Sequence, residues 1–254
     1  MRGPPRARAV DPGSIMRRSS VFRYYGSKRS FVNLYPAPEH DTIVEPFAGA
    51  ASYAMCHWRK NVLLIERDPS VARLWRWLIS VDEREILRLP DARPGLPIAE
   101  MDCEPIAREL IARCVKIQGM PAKQCSRFFW CDQWQSSGSL WGPRMRMRIA
   151  RDLHKIRHWR VLFGDYTDAP DISATWFVDP PYSELRAGNA YAHGASHVDF
   201  VRLAAWSRAR RGLTIVCNGA GDWLPFRDLS LRRNIARDSD SGVRHMERVW
   251  INRT

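Results

Sequence analysis

Lysine is scarce in this 254-residue chain: five of its 40 cationic side chains are Lys and the other 35 are Arg. Against 27 acidic residues the formal charge is +13, a balance that favours a polyanion such as DNA or RNA, or an anionic membrane surface. The Arg bias tempers that inference, because an Arg-rich coding preference raises the total without any ligand. No window of eighteen uncharged apolar residues occurs, so no membrane span is predicted. The six cysteines form no CxxC pair and no Cys/His group at zinc spacing. That pattern predicts no metal, and reduced thiols in a cytoplasmic protein. The opening MRGPPRARAV has no apolar stretch of the signal-peptide kind, and internal repeats are absent.

What the chain does have is apolar material: 45% hydrophobic residues, with 11 Trp, 9 Phe and 7 Tyr. This excludes a fibrous or largely disordered protein and suffices for a real core. Residues 1–20 carry five Arg and one Asp without periodicity; they read as a disordered basic extension, with Met16 as an alternative start. From Val21 onward short β-branched runs alternate with helical patterns, which predicts an α/β fold with helices covering both faces of a parallel sheet. Strands are predicted at Thr42–Glu45, Val62–Glu66, Val161–Phe163, Thr175–Asp179, Leu213–Cys217 and Glu247–Ile251. Helices are predicted at Ser52–Arg59, Ser70–Ser80, Pro105–Gln118, Arg144–His158 and His197–Arg210. Four prolines make Leu89–Pro105 a loop or linker. The wide gap between the second and third strands predicts a small subdomain, residues 83–160, inserted into a sheet domain of 21–82 and 161–254.

Three segments carry chemistry. In Asp41-Thr-Ile-Val-Glu-Pro-Phe-Ala-Gly-Ala-Ala-Ser52 a strand meets a helix through small residues, which lets backbone approach a ligand closely. A tight turn with no ligand fits the same letters. Glu66 closes the next strand, where a carboxylate can accept hydrogen bonds from ribose hydroxyls; its plain alternative is a solvated acid paired with Arg67. Taken alone, this pair fits a nucleoside or a dinucleotide. In Ala174-Thr-Trp-Phe-Val-Asp-Pro-Pro-Tyr182 an apolar strand runs into a turn that two prolines make rigid. A chain of this length contains that tetrapeptide by accident roughly once in a thousand.

On these segments the chain resembles the Dam-type S-adenosylmethionine-dependent DNA adenine-N6 methyltransferases, especially short phage-borne relatives. Tyr24-Tyr-Gly-Ser-Lys28 is similar to that family's Tyr-x-Gly-Gly-Lys motif, and Ile43–Ser52 to its Phe-x-Gly motif preceded by Glu-Pro. Glu66, Asp165 in Phe163-Gly-Asp-Tyr166, and Asp179-Pro-Pro-Tyr182 follow in the family's order. Later segments at Tyr191–Leu203, Thr214–Asn218 and Arg248–Asn252 resemble its last strands and helix. The resemblance covers residues 21–254, least closely over 83–160. Ser27 and Ala51 stand where the family has Gly.

The resemblance implies a Rossmann-like methyltransferase sheet and catalysis by Asp179, Pro180, Pro181 and Tyr182. Tyr24, Lys28, Glu45, Phe47, Ala48, Gly49, Glu66, Asp165 and Tyr166 would hold S-adenosyl-L-methionine, with Lys28 on its carboxylate. Double-stranded DNA is the implied partner, a flipped adenine the implied target and a monomer the expected state. Cytosine N4, an RNA amine, or DNA binding on a decayed scaffold are the alternatives. The segment 141–160 holds seven cations and one acid. Met145, Ile149, Leu153 and Ile156 share one helical face there, which turns Arg144, Arg148, Arg151 and Lys155 outward. Arg144, Arg146 and Arg148 are the candidate phosphate contacts, with a solvated face as the alternative. Just before it, the aromatic and polar run Ser126–Ser139 offers Arg127, Trp134 and Gln135 for base edges, or simply packs the insert.

Overall fold

The computed structural model describes residues 21–24, 26–28, 31–116, 121–125, 140–182, 197–219, 221–229 and 247–254. The expectations for residues 1–20 and for Arg127, Trp134 and Gln135 lie outside this set.

Among the described residues seven strands form one sheet: β1 (Thr42–Glu45), β2 (Asn61–Glu66), β3 (Arg160–Phe163), β4 (Ser173–Val178), β5 (Arg211–Asn218), β6 (Arg227–Asp228) and β7 (Arg248–Arg253), in the order β3-β2-β1-β4-β5-β7-β6. The first five run parallel to one another, whereas β7 runs antiparallel to both β5 and β6. Strands covered on both faces read as continuous apolar runs, and this is the pattern of Thr42–Glu45, Val62–Glu66, Ala174–Val178 and Leu213–Cys217. Their side chains alternate between two cores. Ile43, Leu64, Phe177 and Ile215 enter one, and Val44, Ile65, Trp176 and Val216 the other.

Six helices are seen among the described residues: α1 (Ser52–Cys56), α2 (Pro69–Ser80), α3 (Glu83–Arg88), α4 (Pro105–Cys114), α5 (Pro143–Asp152) and α6 (Phe200–Arg208). The first core takes Tyr53 of α1, Trp75 of α2, Ile86 of α3, Leu110 of α4 and Met145 of α5, while the second takes Leu203 of α6. Helices therefore cover both faces of a mostly parallel sheet, as the alternation of patterns predicted. Asp68, Asp82 and Asp199 each cap a helix by accepting a backbone N–H, worth about 1 kcal/mol apiece. Among the described residues no helix is long and apolar enough to cross a membrane.

Differences from the predicted elements are local. Helix α1 stops at Cys56 rather than Arg59, because a turn closed by Lys60 N–H on the His57 carbonyl feeds the chain into β2. Helix α5 ends at Asp152, and Leu153–Lys155 tightens into a 3-10 turn. Helix α3 and strand β6 were not predicted. A six-residue helix burying only Ile86, and a two-residue exposed strand, are too short to show a period.

Candidate active site

In the order 3-2-1-4-5, crossovers leave β1 and β4 in opposite directions, and open sheets bind ligands in the crevice beyond the strand ends at that point. The turn after β1 is built for close approach. Gly49 has φ 45° and Ala51 φ 47°; Ala51 is the one non-glycine residue with positive φ among those described. The carbonyl of Gly49 accepts the indole N–H of Trp75 at 2.8 Å, and its N–H donates to Glu66 Oε2 at 3.0 Å. The ring of Tyr24 lies on the same glycine, so a Cβ there would stand 3.0 Å from Tyr24 Cδ1. Ser27 in the preceding segment shares a 2.7 Å hydrogen bond with Ser52 at the start of α1.

Glu66 is buried, and its Oε1 accepts the N–H of Asp68 at 2.9 Å. Burial raises its pKa, against the pull of these backbone hydrogen bonds. Arg67 does not pair with it; its guanidinium lies 3.5 Å from Asp165. Asp165 caps the short Tyr166–Asp168 turn, and the Tyr166 ring stacks on Phe47 with centroids 5.7 Å apart. Ala48 is buried and donates its N–H to the Ile65 carbonyl. Glu45 is buried at the end of β1, where its Oε1 accepts the Ala54 N–H at 2.6 Å. Burial pushes its carboxyl up to about 8, so much of it is protonated at neutral pH.

Asp179 follows β4 directly. Its side chain keeps one-fifth exposure, and Lys28 Nζ stands 2.9 Å from Oδ1. Burial raises the Asp179 carboxyl to about 6, with Lys28 opposing and Glu247 reinforcing the rise. For Lys28, burial alone would favour the neutral amine, yet the Asp179 and Glu247 carboxylates outweigh it and hold the ammonium charged. The same ammonium sits 4.4 Å from the centroid of the Tyr182 ring and donates to the Gly26 carbonyl. Lys28, expected on the cofactor carboxylate, thus stands against Asp179 and Tyr182. Pro180 is buried, with Pro181 and Tyr182 half-buried.

Four residues that sequence reasoning missed complete the site. The phenol of Tyr182 donates to Glu247, with both carboxylate oxygens at 3.0 Å, and the phenol of Tyr35 donates to Oε1 at 2.7 Å. Gly219 has the Tyr182 ring so close that a Cβ would lie 2.5 Å from Cδ2. Trp75 anchors the Gly49 turn. The signal for Glu247 was a lone acid opening an apolar strand; nothing local marks Tyr35 or Trp75.

The candidate DNA helix is amphipathic as predicted: Met145, Ile149, Leu153 and Ile156 are buried and Arg144 is exposed. Its cations are less free than their spacing implied. Arg146 donates to the Leu89 carbonyl at 2.8 Å and pairs with Asp91. Arg148 is half-buried, and Arg151 and Lys155 both pair with Asp152. The crest of the sheet therefore joins a glycine turn, two carboxylates at strand ends and a rigid acid-proline turn, an arrangement able to bind a nucleoside-like group beside a polar acceptor pair. No model of a known protein family matches the chain, and no curated protein does.

Proposed function

We propose that the protein methylates the exocyclic N6 amine of adenine in double-stranded DNA, with S-adenosyl-L-methionine as methyl donor, on a Rossmann-like methyltransferase sheet. The observation that carries this reading is position: Asp179-Pro180-Pro181-Tyr182 leaves β4 at the strand-order reversal, beside the Gly49 turn of β1. A nucleoside donor fits the residues there. The Glu66 carboxylate retains lone pairs for ribose hydroxyls, the half-buried Phe47, stacked on the buried Tyr166, offers an aromatic flank, and the partly exposed Asp165 offers an acceptor. When bound, S-adenosylmethionine supplies an electrophilic methyl group.

The protein's own task is to make a poor nucleophile better. The N6 lone pair of adenine is delocalised into the ring, so Asp179 and the Pro180 carbonyl each accept one N6–H, localising that pair. Lys28 keeps Asp179 ionised in a buried place, a role that fits its position better than a cofactor carboxylate does. Tyr182 stacks on the extruded base, worth roughly 1–3 kcal/mol, since an adenine within a duplex cannot reach the turn. Residues 83–160 would then carry target recognition. Parallel incubations of isotope-labelled S-adenosylmethionine with mixed-sequence double-stranded DNA and with mixed-sequence RNA, followed by nucleoside mass spectrometry, test the reading. Labelled N6-methyladenine that disappears in Asp179→Ala supports it; label on another base or on RNA redirects it, and no label in any polymer overturns it.

A further inference from the structure

We infer that Glu247, just ahead of β7, is a positioning residue for the proposed transfer: it clamps the Tyr182 phenol and places a fixed negative charge beside the Asp179–Lys28 pair. The inference rests on the functional reading above and adds a residue to it.

Burying a carboxylate is costly unless it is paired, and a packing role in this place would suit an apolar side chain. Glu247 is 6% exposed and receives two phenol donors from distant parts of the chain. One donor, Tyr35, is itself fixed: its ring meets Phe177 of β4 edge-on, at 5.0 Å and 74°. Phe177 in turn stacks on Tyr53 of α1 at 4.5 Å. The other donor is the tyrosine of the catalytic turn. With its hydroxyl on Glu247, its ring against Gly219 and Lys28 Nζ near its centroid, Tyr182 is located by three contacts that do not involve a base.

The charge has a separate effect. Asp179 is faced by Lys28 from the N-terminal segment, Glu45 from β1, Cys217 from β5, and Glu247, Tyr35 and Tyr182. Among these, Lys28 favours the Asp179 carboxylate and Glu247 opposes it. A carboxylate of higher proton affinity accepts an N–H more strongly, so Glu247 sharpens the acceptor that polarises the amine.

Glu247→Gln keeps the shape and one acceptor oxygen while removing the charge. Carboxyl-carbon NMR of the full-length protein, with the Asp179 signal assigned through Asp179→Asn, reads the first effect without any chemistry. The Asp179 midpoint is expected to fall by about half a pH unit in Glu247→Gln; an unmoved or higher midpoint overturns the electrostatic role. Methyl incorporation into mixed-sequence double-stranded DNA reads the second. There, kcat is expected to drop roughly tenfold with KM for S-adenosylmethionine unchanged, and the acidic limb of the rate to move to lower pH. Tyr182→Phe isolates the clamp: added to it, Glu247→Gln should lose only the charge effect and so cost less than it does alone. Independent, multiplying losses overturn the clamp. A wild-type protein that labels no polymer overturns the functional reading, whereas labelling with an unmoved Asp179 midpoint overturns the electrostatic role of Glu247 alone.

Discussion

In the proposed transfer Asp179 accepts an amine N–H as an anion, and its surroundings pull both ways. Burial lifts its pKa to about 6 from an ordinary 3.8. For a raised acid, ionisation costs the folded state stability: the cost is absent below the unfolded value and complete above the folded one, growing between about pH 4 and 6. Methyl transfer should therefore show an acidic limb near pH 6, read as kcat against pH. Lys28→Met removes the opposing cation, so that limb should move up by about one unit or more, with activity recovering toward pH 9; an unmoved limb would return Lys28 to the cofactor. Ala51 poses a question of backbone instead. Its φ of 47° costs roughly 1–2 kcal/mol for a residue with a Cβ, yet its methyl is buried in the first core, worth about 0.8 kcal/mol. With the extra chain entropy of glycine, about 0.4–1 kcal/mol, the terms nearly cancel. Ala51→Gly should leave denaturant stability within about 1 kcal/mol and S-adenosylmethionine affinity within about twofold. Ala51→Val should lose about 2–3 kcal/mol, because a branched Cβ tolerates positive φ poorly. Equal stability of the two variants would mean that the turn relaxes.

At the scale of elements, α5 shows what spacing reveals and what it hides. Its buried stripe was legible because helical geometry repeats within the segment itself. The partners of its polar side were not: Arg146 reaches Leu89 and Asp91 in the Pro-rich stretch, and beyond the helix Arg157 donates to the carbonyls of Ile79 and Val81. Such contacts depend on how elements dock, which no local pattern encodes. They also divide the cations by task. Arg144 is exposed at the first turn, so Arg144→Gln should lower the slope of log affinity for DNA against log salt by about 1. Arg146, nearly covered and bound to a carbonyl, should behave in reverse: Arg146→Gln costs about 1–2 kcal/mol of stability, with little change in slope. Salt titration of DNA binding beside thermal melts separates the two, and a shared phenotype would mean that the helix meets phosphates through one continuous face or not at all.

Across the whole molecule, the sheet was readable and the site only half so. Parallel strands announce themselves as apolar runs, and the turn after β1, the Glu66 strand end and the acid-proline turn could be named from their letters. Tyr35 and Glu247 stand 212 residues apart yet share one hydrogen bond, and no periodicity links them. The same long-range closure bears on residues 83–160, predicted as an inserted unit. Ile86, Leu110, Ile111, Met145, Ile149 and Leu153 enter the same core as Ile43, Leu64, Phe177 and Ile215. A region that shares its core with the sheet has no separate interior to keep when the sheet is lost. Calorimetry of the full chain should show one cooperative transition rather than two. S-adenosylmethionine, the proposed methyl donor, at about a hundred times its Kd should add about 2.7 kcal/mol, lifting that single transition by roughly 5–10 °C for a chain of this size. Two transitions, with only the later one moved by S-adenosylmethionine, would show that α3 to α5 fold apart from the sheet and that the common core is no barrier to their release.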